Sequence, residues 1–106
     1  MVKQIAAKGD FDAALKEAGG KLVVVDFFAT WCGPCKAIAP KLKEWSEGEF
    51  SDLVFLKVDV DELDDLAAEY GVNAMPTFIL FKNKEKVETV VGASEAKLRE
   101  AINKNK

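Results

Sequence analysis

The sequence predicts an α/β fold, a mixed five-stranded sheet flanked by four helices, and three observations predict it. Apolar residues alternate between strand-like and helix-like spacing along the chain, with no linker, repeat or low-complexity stretch between them. The run Leu22 to Ala29 is β-branched and aromatic without alternating polarity, as a strand buried on both faces should be. Finally, Thr77 to Lys82 and Lys86 to Val91 are strand-like runs separated by a few polar residues, a hairpin signal. Strands joined through helices run parallel by the crossover rule and a hairpin is antiparallel, so the sheet is mixed, with helices on both faces.

In chain order, Val2 to Ala6 reads as a short strand. Phe11, Ala14, Leu15 and Ala18 stand at i, i+3, i+4 and i+7, one face of a helix that Gly19-Gly20 ends. Leu22 to Ala29 is the expected sheet centre. A helix follows from about Pro34 to Glu47 with Ile38, Leu42 and Trp45 inward, and Pro40 is expected to kink it. Leu53 to Val58 is the third strand. Asp61, Glu62, Asp64 and Asp65 suit the N-terminus of a helix over Leu63 to Tyr70, since they cap free amides and complement the dipole; Gly71 suits its stop. The hairpin strands come next, and Ser94 caps a last helix through about Ile102.

Length and composition bound the function. A chain of 106 residues, against about 150 per domain, is expected to be a single domain spanning 1–106. Its 49% hydrophobic and 31% charged residues describe a folded globule rather than a disordered tail. A net charge of -3 offers no basic face for a phosphate backbone, which argues against nucleic acid as a partner. The longest strongly apolar stretch, Leu22 to Ala29, contains Asp26 and is far shorter than the roughly 20 residues of a membrane-spanning helix. The first residues lack the apolar region of roughly 7–15 residues found in a secretory signal, so the cytoplasm is the expected location. With no histidine, Cys-His and Ser-His pairs and histidine metal sites are excluded, and any general base is a carboxylate or a lysine.

Chemistry concentrates at Trp31-Cys32-Gly33-Pro34-Cys35-Lys36, where the central strand passes into a helix. The free amides and positive dipole end there stabilise a thiolate over a thiol at Cys32, and Lys36 adds a positive charge, so the Cys32 pKa should fall towards neutrality. Cys35 lies one turn deeper on the same side, within disulfide reach and less open to solvent. Cys32 is therefore the expected nucleophile towards a substrate disulfide, and Cys35 the thiol that resolves the mixed disulfide by closing Cys32–Cys35. Pro34 is tolerated because the first helical turn has no amide bond to lose. A zinc site, which needs four ligands, a structural bridge, which is unusual in a cytosolic chain, and two inert buried thiols all fit the context less well than redox chemistry.

Asp26 interrupts the most apolar strand, where an unpaired charge costs several kcal/mol, roughly, or takes up a proton, so its pKa should be raised. Lys57 interrupts the next strand in the same way, and the two are expected to meet. Asp26 is then either the proton acceptor that activates Cys35 or one half of a polar pair at the sheet edge. Pro76, between Met75 and Thr77, is either a residue that simply opens a strand or a cis proline that exposes the Met75 backbone to an extended substrate. Trp31, beside Cys32, reads as a partly exposed lid and Trp45 as core packing. Gly92 either ends a strand or lets a partner's backbone come close.

Val25 to Lys36, Pro40 and Ala74-Met75-Pro76-Thr77-Phe78 together resemble the thioredoxin family, of the eukaryotic cytosolic type, and the similarity spans essentially the whole chain. The resemblance implies the thioredoxin fold with strand order 1-3-2-4-5, a cis Pro76, Cys32 as nucleophile, Cys35 as resolving thiol, and Asp26 assisted by Lys57 in proton transfer. It also implies a substrate groove built from Trp31, Gly33, Pro34, Met75, Pro76 and Gly92, with the loop Val72-Asn73-Ala74. Thioredoxins are themselves a standard instance of a lowered thiol pKa and of a reducing dithiol, so on those points the resemblance and the residues are not independent. The family is recharged by thioredoxin reductase with NADPH as the ultimate electron source. The chain itself has no Gly-rich dinucleotide motif and is expected to bind no cofactor, its redox group being the reversible Cys32–Cys35 disulfide.

Two departures from the family pattern carry expectations. Members often have Asn-Gly in the hairpin turn, whereas this chain has Asn83-Lys84; a lysine at positive φ costs roughly 1 kcal/mol, so a different turn type is expected. Extra cysteines of animal relatives are replaced by Leu63, Tyr70 and Ala74, which excludes further disulfides as a route to regulation or dimerisation and leaves a monomer as the expected state. The function expected is a general protein disulfide reductase. A disulfide oxidase or isomerase would usually carry a histidine where this chain has Gly33-Pro34, and a non-catalytic binding subunit using the same groove would survive Cys32→Ser.

Overall fold

The chain, described over residues 1–106 by a computed structural model, alternates five strands and four helices. They are β1 (Val2–Gln4), α1 (Lys8–Ala18), β2 (Val23–Phe28), α2 (Gly33–Glu47), β3 (Val54–Asp59), α3 (Asp64–Glu69), β4 (Thr77–Lys82), β5 (Glu85–Val91) and α4 (Glu95–Asn105). The sheet order is β1-β3-β2-β4-β5, with β1, β3 and β2 mutually parallel and β4 antiparallel to both β2 and β5.

β2 is the centre because its side chains have apolar partners on both faces. Val23, Val25 and Phe27 join Phe11 and Leu15 of α1 and Leu66 of α3 in one core; Val24 joins Ile38, Leu42 and Trp45 of α2 and Leu98 of α4 in the other. The period-two alternation of a strand thus distributes an unbroken apolar run between two helical layers. Asp26 falls on the α2 side, opposite Lys57 of β3 and Phe78 of β4 in register. It is buried between interior strands, so the reading of a pair at the sheet edge is overturned.

Three local expectations change. β1 ends at Gln4 rather than Ala6. The third helix is shorter than Leu63 to Tyr70 and its N-cap is Leu63, without a side-chain cap. Asp59 takes the capping work instead: its Oδ1 accepts the N–H groups of Asp61 at 2.9 Å and Glu62 at 3.4 Å, folding the chain into a turn before the helix begins. Asp61 is thereby set apart from the helix it was expected to cap. Ser94 does cap α4, accepting from the N–H of Lys97 at 3.2 Å.

The hairpin turn also differs from expectation. Asn83 and Lys84 both take positive φ, 53° and 69°, as the two central residues of a two-residue loop between β4 and β5. Such a turn twists the way the strands do, and that match outweighs the cost of a left-handed lysine. Lys84→Gly is accordingly expected to raise stability by about 1 kcal/mol in urea unfolding, with an unchanged denaturant slope.

Candidate active site

Cys32 is the N-cap of α2, with extended backbone at φ -90° and ψ 112°. Its sulfur accepts the N–H of Cys35 at 3.2 Å, and its carbonyl accepts that of Lys36 at 3.2 Å. The helix begins at Gly33, one residue before the sequence reading, with Pro34 in the first turn, where no helical hydrogen bond is lost. Cys32 and Cys35 are joined as a disulfide with 5.3 Å between their Cα atoms. An N–H aimed at the Cys32 sulfur and the dipole end behind it favour a thiolate there once the bond is reduced. The expected contrast in exposure is slight, since both cysteines are buried, at 5% and 4%. What separates them is position, Cys32 at the cap and Cys35 inside the first turn.

Around the disulfide lie Ala29, Phe28, Val60 and Met75, an apolar collar that limits water. The Met75 carbonyl oxygen stands 3.6 Å from the Cys32 sulfur, which in the disulfide has no hydrogen to donate. The Met75-Pro76 bond is cis. This loop is held at both ends: Thr77 Oγ1 donates to the Ala74 carbonyl at 2.6 Å, and Gly92 N–H donates to the Pro76 carbonyl at 2.8 Å. Gly92 has φ 99°, a conformation that other residues rarely adopt, so glycine is needed by its own backbone there.

Trp31, beside Cys32 in the chain, is 66% exposed, and Val91, opposite Thr77 in register, is 60% exposed. The Trp31 indole N–H donates to Asp61 Oδ2 at 2.9 Å, across 30 residues of chain. Sequence reasoning missed this role of Asp61, and no local signal could have given it, because only the turn at Asp59 brings the carboxylate to the indole. Trp45, by contrast, is core, at 2% exposure.

Asp26 is a buried carboxyl on the α2 side of β2, the strand that leads into the cysteine segment. Its Oδ1 has no hydrogen-bond partner, and burial pushes its pKa from 3.8 up to about 7, against a smaller pull downward from the Lys57 charge. Asp26 and Lys57 meet in register without forming an ion pair; the Lys57 ammonium lies 5.4 Å over the Phe28 ring. Both line a cleft beneath α2 with Lys36, the residue that follows Cys35.

A redox-active cysteine pair at a helix N-terminus, at the end of a central strand and facing a cis proline, defines a thiol-disulfide oxidoreductase. The thioredoxin family profile matches residues 2–104, and the chain belongs to the thioredoxin family. It is 56% identical over 105 residues to Thioredoxin-1 of Schizosaccharomyces pombe, with 99% of each chain covered, and 55% identical to a thioredoxin of Geodia cydonium over the full length of both. Among solved structures it is similar to Fasciola hepatica thioredoxin, with a TM-score of 0.94, 45% identity, and 98% and 99% of the two chains covered. The reduced Schistosoma mansoni thioredoxin pre-protein also gives a TM-score of 0.94, at 53% identity, with 99% and 98% covered. The protein is a thiol-disulfide reductase whose redox group is the cysteine pair itself.

The Asp26 environment generates a stability prediction. Below 3.8 the carboxyl is neutral in folded and unfolded chains alike and carries no penalty. As pH rises from there to about 7, the unfolded chain ionises while the folded one does not, and stability is lost through that window. Above it both are ionised and the penalty is constant. Asp26→Ala is therefore expected to gain on the parent by roughly 3–4 kcal/mol between pH 4 and pH 8, a difference from which the pH-independent cost of a small cavity cancels. Urea unfolding at the two pH values measures it.

Proposed function

We propose that the reductase works as an electron carrier with divided thiol roles. Cys32, as thiolate, attacks one sulfur of a protein disulfide, forming a Cys32–substrate disulfide and releasing the other substrate sulfur as a thiolate that takes a proton. Asp26 then accepts the proton of Cys35, and the Cys35 thiolate attacks the Cys32 sulfur. The substrate leaves with two thiols, and its two electrons have come from the pair that closes as Cys32–Cys35. The observation that carries this assignment is the N-cap position of Cys32, whose sulfur receives the Cys35 N–H.

Asp26 suits the proton transfer because it is held near neutrality by burial, so that it both takes and returns a proton at physiological pH. Lys57 is its electrostatic partner, moderating that rise without neutralising it by direct contact. Trp31, Gly33, Pro34, Met75, Pro76 and Gly92 form the surface that receives an extended segment of the substrate. Support comes from the exposed indole and Val91, and from the backbone of Met75 facing the Cys32 sulfur. The oxidised carrier is returned to the dithiol by thioredoxin reductase with electrons from NADPH. The 106 residues act as one domain and one monomer in the cytoplasm, without nucleic acid or membrane as partner; the net charge of -3 and the lack of any helix long and apolar enough to cross a membrane support that reading.

Reduction of insulin coupled to NADPH through a thioredoxin reductase tests the carrier role directly; a folded, inactive protein overturns it in favour of a binding subunit. The division of roles predicts that Cys35→Ser accumulates substrates as stable mixed disulfides on residue 32, while Cys32→Ser accumulates none. Mass spectrometry reads both, and adducts on Cys35 of the unmodified protein would reverse the assignment. Asp26→Ala is expected to slow resolution by about a hundredfold while changing the first attack much less, in single-turnover kinetics.

A further inference from the structure

The backbone that faces the Cys32 sulfur is held by very few bonds. Upstream of Met75, the Val72 N–H donates to the Ala67 carbonyl of α3 at 2.9 Å; downstream, the Gly92 N–H holds the Pro76 carbonyl at 2.8 Å. Between those two ties, Asn73, Ala74 and Met75 make no backbone–backbone hydrogen bond, and Asn73 and Ala74 are exposed. The one hydrogen bond in this stretch comes from a side chain, the Thr77 hydroxyl, which donates to the Ala74 carbonyl at 2.6 Å, an ordinary length for an O–H donor. In a four-residue turn the first carbonyl commonly accepts the fourth N–H; no backbone bond joins Ala74 to Thr77, and the hydroxyl stands in its place. Met75 therefore lies between two tied carbonyls, one of them held by a side chain alone.

Thr77 is a fixed point from which to hold it. The residue is 4% exposed, opens β4, and lies in register with Phe27 of β2 on one side and Val91 of β5 on the other. Its branched side chain has little rotational freedom. The cysteines do not depend on this hydroxyl: the collar around the disulfide is Ala29, Phe28, Val60 and Met75, and the Cys32 sulfur accepts from the Cys35 N–H.

We propose that Thr77 is a positioning residue: its hydroxyl, through the Ala74 carbonyl, sets the Met75 backbone opposite Cys32 and so governs how well a protein disulfide docks, without governing the reactivity of the thiols. The effect on docking rests on the role given above to the Met75 backbone, whereas the hold on that backbone does not. Valine at position 77 keeps the shape and removes the donor, and the carbonyl it abandons belongs to an exposed residue that water reaches, so the fold is retained.

The test compares Thr77→Val and Thr77→Ser with the parent, each as the reduced protein in single turnover. Two substrates are used: insulin, and bis(2-hydroxyethyl) disulfide, which has no chain to dock. Thr77→Val is expected to reduce insulin about fivefold more slowly and the small disulfide at the parent rate; Thr77→Ser, which keeps the hydroxyl, is expected to recover insulin reduction to within about twofold. The Met75 amide resonance of the oxidised protein is expected to move in the valine variant and to return in the serine one. Thr77→Ala against Thr77→Ser repeats the comparison with the methyl absent from both, and serves if the valine variant does not fold. Equal slowing of both disulfides, a serine variant no better than valine or alanine, or an unmoved Met75 resonance would each overturn the proposal. If the resonance moves and returns as expected while insulin reduction is unaffected, the docking role of Met75 falls and the hold of Thr77 on its backbone stands.

Discussion

Burial of β2 on both faces is the constraint from which the rest of the molecule follows. A strand with apolar side chains alternating to either side requires a helical layer on each, and its neighbours β3 and β4 must satisfy its backbone on both edges. Such a strand cannot shift register without exposing one core or the other, so its C-terminal end is fixed in space. Four residues separate that end, Phe28, from the start of α2 at Gly33, so its first turn is placed by the sheet. The cysteine pair thus stands at the end of a strand whose first five residues are buried.

The same burial sets the electrostatics. A carboxyl at position 26 has no water and no hydrogen-bond donor at Oδ1, and desolvation outweighs the field of Lys57. The sheet thus gains a proton-holding group at the cost of stability, while the N-terminus of α2 stabilises negative charge at its cap. Two groups of opposite tendency sit on one side of the sheet, a carboxyl that resists ionisation and a sulfur whose surroundings favour it. Their difference arises from backbone position rather than from residue type.

The surface proposed to receive substrate is assembled by contacts of long range. Pro76 and Gly92 meet through one backbone hydrogen bond between the start of β4 and the end of β5, and Thr77 ties the preceding loop to Ala74. Trp31 is restrained by Asp61 from the turn that follows β3. These links leave Trp31 and Val91 exposed while holding the backbone that carries them, a combination that suits the proposed docking of an extended segment.

The sequence by itself determined what depends on nearest neighbours and on pattern. The unbroken apolar run at residues 22–29, the helical spacings, Ser94 as a cap, and a Cys-Gly-Pro-Cys segment at a strand-to-helix junction were all legible, because each is a local consequence of side-chain period or backbone chemistry. Tertiary structure decided the matters that turn on distant partners. Asp26 and Lys57 share a register without an ion pair because strand pairing fixes backbone neighbours and leaves a long side chain free to lie over Phe28. Lys84 adopts positive φ because the twist of two paired strands overrides one residue's preference, and Asp61 reaches Trp31 because Asp59 turns the chain away from α3. Local propensity is worth about 1 kcal/mol per residue, and packing of a whole element exceeds it, so the assembled sheet has the last word wherever the two disagree.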